Sequence, residues 1–114
     1  MRLFVMRNIN FELESAVIDT IVSGPELDSL ASFMTENPNI RIEISGYTDN
    51  TGDSAHNKTL SIERAEAVKN AMIERGIEAD RMVANGYGEN RPLVPNINEN
   101  NRAINRRVEV RVIY

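Results

Sequence analysis

The sequence predicts an α/β (α+β) domain, a two-layer sandwich with the element order β-α-β-α-β-β and a mixed sheet. Segments in which every second residue is apolar, typical of strands, alternate with two segments whose apolar residues recur at helical spacing. A helix between two strands favours a parallel pair, because parallel strands need a long crossover. Strands covered on both faces are apolar throughout, whereas in the predicted strands apolar and polar residues alternate. We therefore expect both main helices on one face of the sheet and water on the other.

The N-terminal part predicts a strand and then a helix. Apolar and polar residues alternate over residues 8–13, as in a strand with one buried face. The helix is predicted to begin at Ser23, because Ser23 and Glu26 have the spacing of a capping box, and to end at Asn37-Pro38. The apolar residues of the strand are Ile9, Phe11 and Leu13, and those of the helix are Leu27, Leu30, Ala31 and Met34.

The middle of the chain predicts a second strand, a loop and a second helix. The strand covers residues 40–45, and a glycine- and Asx-rich segment over residues 46–53 ends it. The helix is predicted from Leu60 or Ser61 through Arg75, with Gly76 as its stop. Its apolar stripe contains Ala65, Val68 and Met72.

The C-terminal part predicts two more strands separated by a loop. Residues 82–87 form a short strand, and residues 91–101 are rich in proline and asparagine, as is typical of a loop. Valines alternate with charged residues over residues 107–112, which predicts the last strand.

The composition favours one globular domain over residues 1–114 and excludes several classes of protein. The chain is 41% hydrophobic and 26% charged, and its net charge of −4 and aromatic content of 5% argue against nucleic-acid binding. It has no cysteine and one histidine, so neither a disulfide nor a metal site nor a cofactor is expected. No apolar run has the length of a membrane span or a signal-peptide core. Taken literally, these features indicate a small cytosolic protein, unless the chain is a fragment.

The segment after the second strand contains the first candidate site. Asp49 follows the carboxyl end of that strand, and Arg64 is predicted about one turn into the next helix. A carboxylate and a guanidinium on one rim could hold a zwitterion, the first binding its ammonium and the second its carboxylate. The alternative is structural: Asp49 caps the loop, and Arg64 pairs with Asp49 or Glu63 on the surface.

A second cluster consists of four arginines on and before the last strand. Such a cluster could bind phosphate or a polyanion, or it could form an ordinary solvated face. Two of the four share a strand face with Glu109, whereas Arg106 falls on the opposite side and therefore needs a partner. The four are Arg102, Arg106, Arg107 and Arg111.

The chemistry of an enzyme has little support in the sequence. His56 with Asp53 and Ser54 supplies the residue types of a triad, but three neighbours on one loop rarely converge and no nucleophile elbow is present. No pair of carboxylates carries a distinctive acid–base motif. We therefore expect a protein that is not an enzyme and has no catalytic residue.

Five short motifs follow one another along the chain: residues 46–52, Asn57, residues 60–65, residues 86–92 and residues 105–109. In this order and at this spacing they resemble the OmpA-like C-terminal domain, the peptidoglycan-associated module also found in Pal lipoproteins and MotB stator proteins. The resemblance extends from about Asn8 to Ile113. Two positions depart from the family pattern: Tyr47 replaces a common histidine, and Asn101 replaces a common glycine.

The resemblance implies non-covalent binding of peptidoglycan through the meso-diaminopimelate of its stem peptide. Asp49 would hold the side-chain ammonium of the ligand, and Arg64 would take its carboxylate. Arg106 would close or support the pocket. Four further residues match positions that line it: Thr48, Asn57, Leu60 and Asn105.

The resemblance also implies a cellular role. The chain would be the C-terminal fragment of a longer envelope protein, located in the periplasm and anchoring the outer membrane to the cell wall. Contact with a membrane would come only from a segment upstream of this sequence. The alternatives are a periplasmic protein-interaction module, as in Tol-Pal systems, and a stator-type wall anchor. A wall hydrolase is a further hypothesis, which the residues do not favour.

Overall fold

The computed structural model describes residues 3–6 and 20–113. The predicted strand over residues 8–13 lies outside these residues. A short 3-10 turn over Ala79–Arg81 leads into the third strand. The described helices and strands, in chain order, are β1 (Leu3–Met6), α1 (Thr20–Glu36), β2 (Ile42–Tyr47), α2 (Ser54–Glu74), β3 (Met82–Gly86), α3 (Glu99–Asn105) and β4 (Arg107–Val112).

The described strands form one mixed sheet in the order β1-β4-β2-β3. β2 and β3 are parallel, with Ile42 opposite Met82 and Gly46 opposite Gly86. β4 is antiparallel to both β1 and β2. The predicted α+β class and mixed sheet are therefore confirmed, and the carboxyl ends of β2 and β3 lie side by side at one edge.

Both long helices cover the same face of the sheet, as predicted. The predicted apolar stripes of α1 and α2 are buried in one cluster with the apolar residues of β2, β3 and β4. Burying one such side chain contributes roughly 1.5–3 kcal/mol. The completely buried members include Met34, Val68 and Met72 from the helices and Ile42, Ile44 and Val110 from the strands.

The opposite face of the sheet is polar but is not the solvated surface that the alternation predicted. Ser45, Tyr47, Arg107 and Glu109 are all buried there. The Arg107 Nε donates to Glu109 Oε2 at 2.7 Å, and the Arg107 guanidinium lies 3.8 Å from the centre of the Tyr47 ring. Charge pairing and stacking within the face satisfy these groups without water.

The helix α1 begins earlier than predicted. Ser23 lies inside the helix, which starts at Thr20, and Pro25 follows in the second turn. Proline there lacks the N–H that would reach the carbonyl four residues before it, and its ring crowds that carbonyl, so the start of α1 bears a cost that the burial of its later residues offsets. The predicted end is confirmed, since the helix stops at Glu36 before Asn37-Pro38.

The helix α2 also begins earlier than predicted, by six residues or more. Its N-cap is Asp53, whose Oδ2 accepts the His56 N–H at 3.0 Å. The first two turns carry mostly exposed side chains, so they add no apolar periodicity to the sequence. The predicted stop is confirmed: Arg75 is the C-cap, and Gly76 has the positive φ of 92° that glycine tolerates.

The predicted loop over residues 91–101 is wrong at its end, because α3 begins at Glu99. Asn98 caps this helix by accepting the Asn101 N–H at 2.8 Å. Asn105, at the end of α3, is the one buried residue of the helix. A seven-residue helix with a polar surface has no apolar stripe for the sequence to display.

Candidate functional site

The carboxyl ends of β2 and β3 pass directly against the middle of α2. A Cβ on Gly46 would lie 2.2 Å from the Ser61 carbonyl oxygen, and one on Gly86 would lie 2.3 Å from the Ile62 nitrogen. Only glycine fits at such a close approach of strand and helix backbones. This crossing fixes the helix over the loops that follow both strands, where the predicted site residues lie.

The loops after β2 and β3 are joined to each other and to α2. The Thr48 N–H donates to the Gly88 carbonyl at 2.9 Å, and the Gly88 N–H donates to Ser61 Oγ at 2.9 Å. Gly88 has a φ of 58°, in the left-handed region that favours glycine. The Thr48 hydroxyl donates to the Asp49 carbonyl at 2.9 Å, which places this predicted residue in the wall of the loop.

Asp49 is the buried carboxylate at the centre of the site. Its side chain is 9% exposed, its Oδ1 accepts the Thr51 N–H at 2.8 Å, and its Oδ2 accepts Arg106 Nη1 at 2.5 Å. Burial alone raises the pKa of Asp49, but the bonds from Thr51 and Arg106 outweigh it and hold the pKa below its ordinary value. Asp49 is therefore an ionised carboxylate with both oxygens oriented.

Arg106 spans two carboxylates. Besides Asp49, it donates from Nη2 to Glu99 Oε2 at 2.7 Å, and its side chain is 39% exposed. The Glu99 bond is the main cause that raises the pKa of Arg106, and the same bond lowers the pKa of Glu99. The prediction that Arg106 needs a partner away from the strand face is borne out by these contacts.

Asn57 closes the other side of the loop that carries Asp49. Its Nδ2 donates to the Thr51 carbonyl at 2.9 Å and lies 3.5 Å from the Asp49 carbonyl. The same nitrogen is 3.4 Å from Glu89 Oε1, which also accepts Ser54 Oγ at 2.9 Å. Leu60, one turn further along α2, is buried. The structure thus brings Thr48, Asp49 and Asn57 together.

Asn105, the last residue of α3, holds the adjoining loop. It is fully buried, and its Oδ1 accepts the main-chain N–H groups of Leu93 and Val94 at 2.8 and 3.2 Å. Its Nδ2 donates to the Val94 carbonyl at 2.9 Å and to Asn96 Oδ1 at 2.8 Å. Through these bonds the Asn105 side chain fixes the backbone of the loop that precedes α3, and it acts on the site only through the position of that backbone.

Arg64 is half-buried on α2 and lies deeper in the helix than predicted. It is the eleventh residue of α2, about three turns from the start, and not one turn. Seven residues separate it from Asn57, so the two share a face and lie roughly 10 Å apart along the axis. Arg64 therefore follows the crossing at Ser61, on the side away from Asn57.

The predicted arginine cluster is matched by carboxylates. Arg107 pairs with Glu109 at 2.7 Å, as the shared strand face suggested, and Arg111 pairs with Glu43 at 2.8 Å. Arg102 and Arg106 both contact Glu99, at 3.3 and 2.7 Å. Because every one of these arginines already pairs with a carboxylate, the contacts favour a charge-paired surface over a site for phosphate or a polyanion.

Two acidic residues of the site were not identified from the sequence. Glu89 Oε1 accepts from Asn57 Nδ2, and Glu99 Oε2 accepts from Arg106 Nη2. The pair Asn98-Glu99 is a recognisable helix start and could have placed Glu99 at a helix N-terminus. No comparable signal indicates Glu89, whose position depends on the packing of the β3 loop against α2.

The arrangement combines an oriented anion, Asp49, with one cation beside it, Arg106. An ionised carboxylate has about four acceptor positions, and the Thr51 and Arg106 bonds use two of those on Asp49. Within residues 3–6 and 20–113, no group of three or more His, Cys, Asp or Glu side chains is placed to hold a metal ion. The helices in these ranges are not long and apolar enough to cross a membrane.

The fold and the site define a small α+β domain with a buried carboxylate and its charged partners beyond the ends of two parallel strands. The chain belongs to the OmpA family, whose profile matches residues 10–106. It is 38% identical over 105 residues to the Outer membrane porin F of Pseudomonas fluorescens, covering 92% of this chain and 32% of the porin. It is also 38% identical over 84 residues to the Peptidoglycan-binding protein ArfA of Mycobacterium bovis, covering 74% and 26% respectively.

The comparison with solved structures agrees with this assignment. The fold is similar to the crystal structure of the peptidoglycan-associated lipoprotein from Burkholderia pseudomallei, with a TM-score of 0.83 and 29% identity. That likeness covers 91% of this chain and 87% of the lipoprotein chain. By contrast, the chain spans only about a third of the length of the porin and about a quarter of ArfA.

Proposed function

We propose that this domain binds peptidoglycan without chemical turnover, through the meso-diaminopimelate of the stem peptide. The observation that carries the proposal is Asp49, a nearly buried, ionised carboxylate oriented by Thr51 and Arg106 at the ends of two parallel strands. A buried carboxylate with free acceptor positions is suited to an ammonium group. The side-chain end of diaminopimelate offers an ammonium together with a carboxylate.

Arg64 is assigned the ligand carboxylate. Its guanidinium fork can donate two parallel hydrogen bonds to a carboxylate, which a lysine in the same place could not. Diaminopimelate differs from lysine by this one carboxylate, so Arg64 would distinguish the two stem peptides. Each charge-assisted bond contributes roughly 1.5–3 kcal/mol.

The remaining predicted residues support these two groups. Thr48 and Asn57 hold the Asp49 loop by the contacts described above, and Leu60 supplies a buried apolar wall. Asn105 fixes the loop beside Arg106, and Arg106 orients Asp49. In this assignment the ligand touches Asp49 and Arg64, and the others keep the pocket in shape.

The relatives support the same function and suggest its setting. ArfA of Mycobacterium bovis carries the name of a peptidoglycan-binding protein, and the matched porin is an outer-membrane protein. We infer that the domain acts in the periplasm as part of a longer envelope protein and ties the outer membrane to the wall. Binding at one site is modest, but a tethered domain beside a mesh of repeated ligands gains from high effective concentration.

Pull-down with diaminopimelate-type sacculi tests the proposal. The wild-type domain should be retained, whereas Asp49→Ala and Arg64→Ala should be released in the wash. Asp53→Asn is the matched acidic control because asparagine caps a helix as well as aspartate does, and Arg75→Ala is the basic control on the same helix. Equal retention of all five proteins would refute the assignment of the site.

Further arms of the experiment separate a protein-interaction module and a hydrolase from a wall-binding domain. Binding to a periplasmic protein partner that survives both site substitutions would favour a protein-interaction module. A stator-type wall anchor would use the same pocket and would lose sacculus binding in the same two variants. Release of soluble muropeptides during incubation would indicate a hydrolase and contradict binding without turnover.

A further inference from the structure

Arg107 is a buried arginine that the proposed binding site does not use directly. Its side chain is 3% exposed, and all three guanidinium nitrogens donate hydrogen bonds. Nε binds Glu109 Oε2 at 2.7 Å, Nη1 binds the Asn105 carbonyl at 3.1 Å, and Nη2 binds the Arg91 carbonyl at 3.0 Å. The guanidinium also lies 3.8 Å from the centre of the Tyr47 ring.

These contacts join the two backbone segments that carry Asp49 and Arg106. Tyr47 is the last residue of β2, two residues before Asp49, and the β2–β4 ladder places it opposite Arg107. The Asn105 carbonyl belongs to the peptide group immediately before Arg106. One guanidinium therefore fixes the end of β2 relative to the junction of α3 and β4.

The third acceptor, the Arg91 carbonyl, brings the loop after β3 into the same arrangement. Arg91 follows Tyr87, whose ring stacks on Tyr47 with centroids 5.5 Å apart. The Arg91 guanidinium itself lies 4.0 Å from the centre of the Tyr87 ring. The two tyrosine rings and the two arginines thus form one stack on the polar face of the sheet. Arg107 anchors its inner end.

We propose that Arg107 is the positioning residue of the pocket, holding the backbone at the α3–β4 junction so that Arg106 reaches Asp49. A guanidinium can stack on a ring and donate to three acceptors at fixed angles, whereas a lysine ammonium cannot do both. Glu109 keeps the guanidinium in place at its Nε edge. The inference deepens the proposed function, but the contact it explains lies within the chain and needs no ligand.

Two variants test this role. Arg107→Lys keeps a cation opposite Glu109 but loses the fork and the stacking. In the double variant Arg107→Met with Glu109→Met, no uncompensated charge is buried, and such apolar replacements of buried ion pairs often retain the fold. Arg111→Lys is the matched control, because Arg111 also pairs with a carboxylate on this face, at Glu43.

The readout is the pKa of the Asp49 carboxyl, measured by carbon-detected NMR titration of the ligand-free domain. In either Arg107 variant it should rise toward the ordinary aspartate value of about 3.9, because Arg106 no longer stabilises the anion. In Arg111→Lys it should stay at the wild-type value. An unchanged Asp49 pKa in a folded Arg107 variant would overturn the proposal.

The affinity for a diaminopimelate muropeptide gives a second, separate readout. We expect the dissociation constant of Arg107→Lys to be at least fivefold above that of the wild type, with Arg111→Lys within twofold. If the wild type fails to bind the muropeptide while the Asp49 pKa shifts as expected, the proposed function fails and the positioning role of Arg107 stands.

Discussion

The substitution Asp49→Asn removes one charge from the centre of the pocket while keeping the size of the side chain. The amide oxygen can still accept the Thr51 N–H, which Asp49 Oδ1 accepts at 2.8 Å. The amide nitrogen, however, would face Arg106 Nη1, where Asp49 Oδ2 now accepts at 2.5 Å. Two donors would then oppose each other.

The expected magnitudes follow from these contacts. A hydrogen bond to a charged group contributes roughly 1.5–3 kcal/mol. The Arg106 side chain is 39% exposed and keeps its bond to Glu99, so we expect a smaller loss of folding free energy, about 1–2 kcal/mol. A ligand ammonium loses its full charged partner, which corresponds to roughly a 10- to 150-fold rise in the dissociation constant.

Isothermal titration calorimetry with a diaminopimelate muropeptide measures the affinity, and urea unfolding measures the stability. Asp53→Asn is the control: Asp53 is an exposed carboxylate in the same loop, and asparagine preserves its capping bond to the His56 N–H. Its affinity should stay within twofold of the wild type. If Asp49→Asn also bound within twofold of the wild type, Asp49 would not be the ammonium site.

Three further predictions concern stability. Gly46→Ala should lower the free energy of unfolding in urea by about 3 kcal/mol, because its Cβ would collide with the Ser61 carbonyl in the backbone of α2; an unchanged urea midpoint would contradict this. Folding lowers the pKa of Asp49, so the ionised carboxylate stabilises the fold above about pH 4, and this stabilisation is lost as the pH falls through the folded pKa. The difference in unfolding free energy between the wild type and Asp49→Asn should therefore shrink from pH 7 toward pH 2. Asn105→Ala should remove hydrogen-exchange protection from the amides of residues 93–94, whose acceptor it is; unchanged protection would contradict its structural role.

The sheet and the helical stripes could be predicted because burial imposes a period on the sequence. The valines of β4 alternate, and Leu27, Leu30, Ala31 and Met34 recur at helical spacing, and all of these helix residues are buried. Two glycines at the strand ends, Gly46 and Gly86, permit the close crossing with the backbone of α2. These features are local, so a single sequence displays them.

The helix starts and the short helix were not predictable from apolar period alone. The first turns of α2 and all of α3 are polar, so their only sequence signals are the caps Asp53 and Asn98. Apolar spacing alone puts the start of α2 at Leu60 or Ser61 and therefore puts Arg64 near the helix start, whereas α2 begins at Ser54. Capping residues deserve more weight than periodicity at helix ends.

The partners within the site depend on the tertiary fold. Asp49 and Arg106 are 57 residues apart in the chain, and no local pattern links them. Likewise, the charges of β4 alternate in the sequence, but their burial depends on carboxylates and rings brought in by β2. The family motifs predict the residues of the site, and the structure gives the contacts of Thr48, Asp49, Asn57 and Arg106.

The central claim is that the pocket recognises the ammonium and the carboxylate at the side-chain end of diaminopimelate. The most direct measurement is calorimetric binding of two muropeptides that differ only in the third stem residue, meso-diaminopimelate or lysine. Our account predicts that the lysine form binds at least about tenfold more weakly, the loss of one charge-assisted contact with Arg64. It also predicts that Arg64→Ala abolishes the difference. Equal affinity of the wild-type domain for the two muropeptides would contradict it.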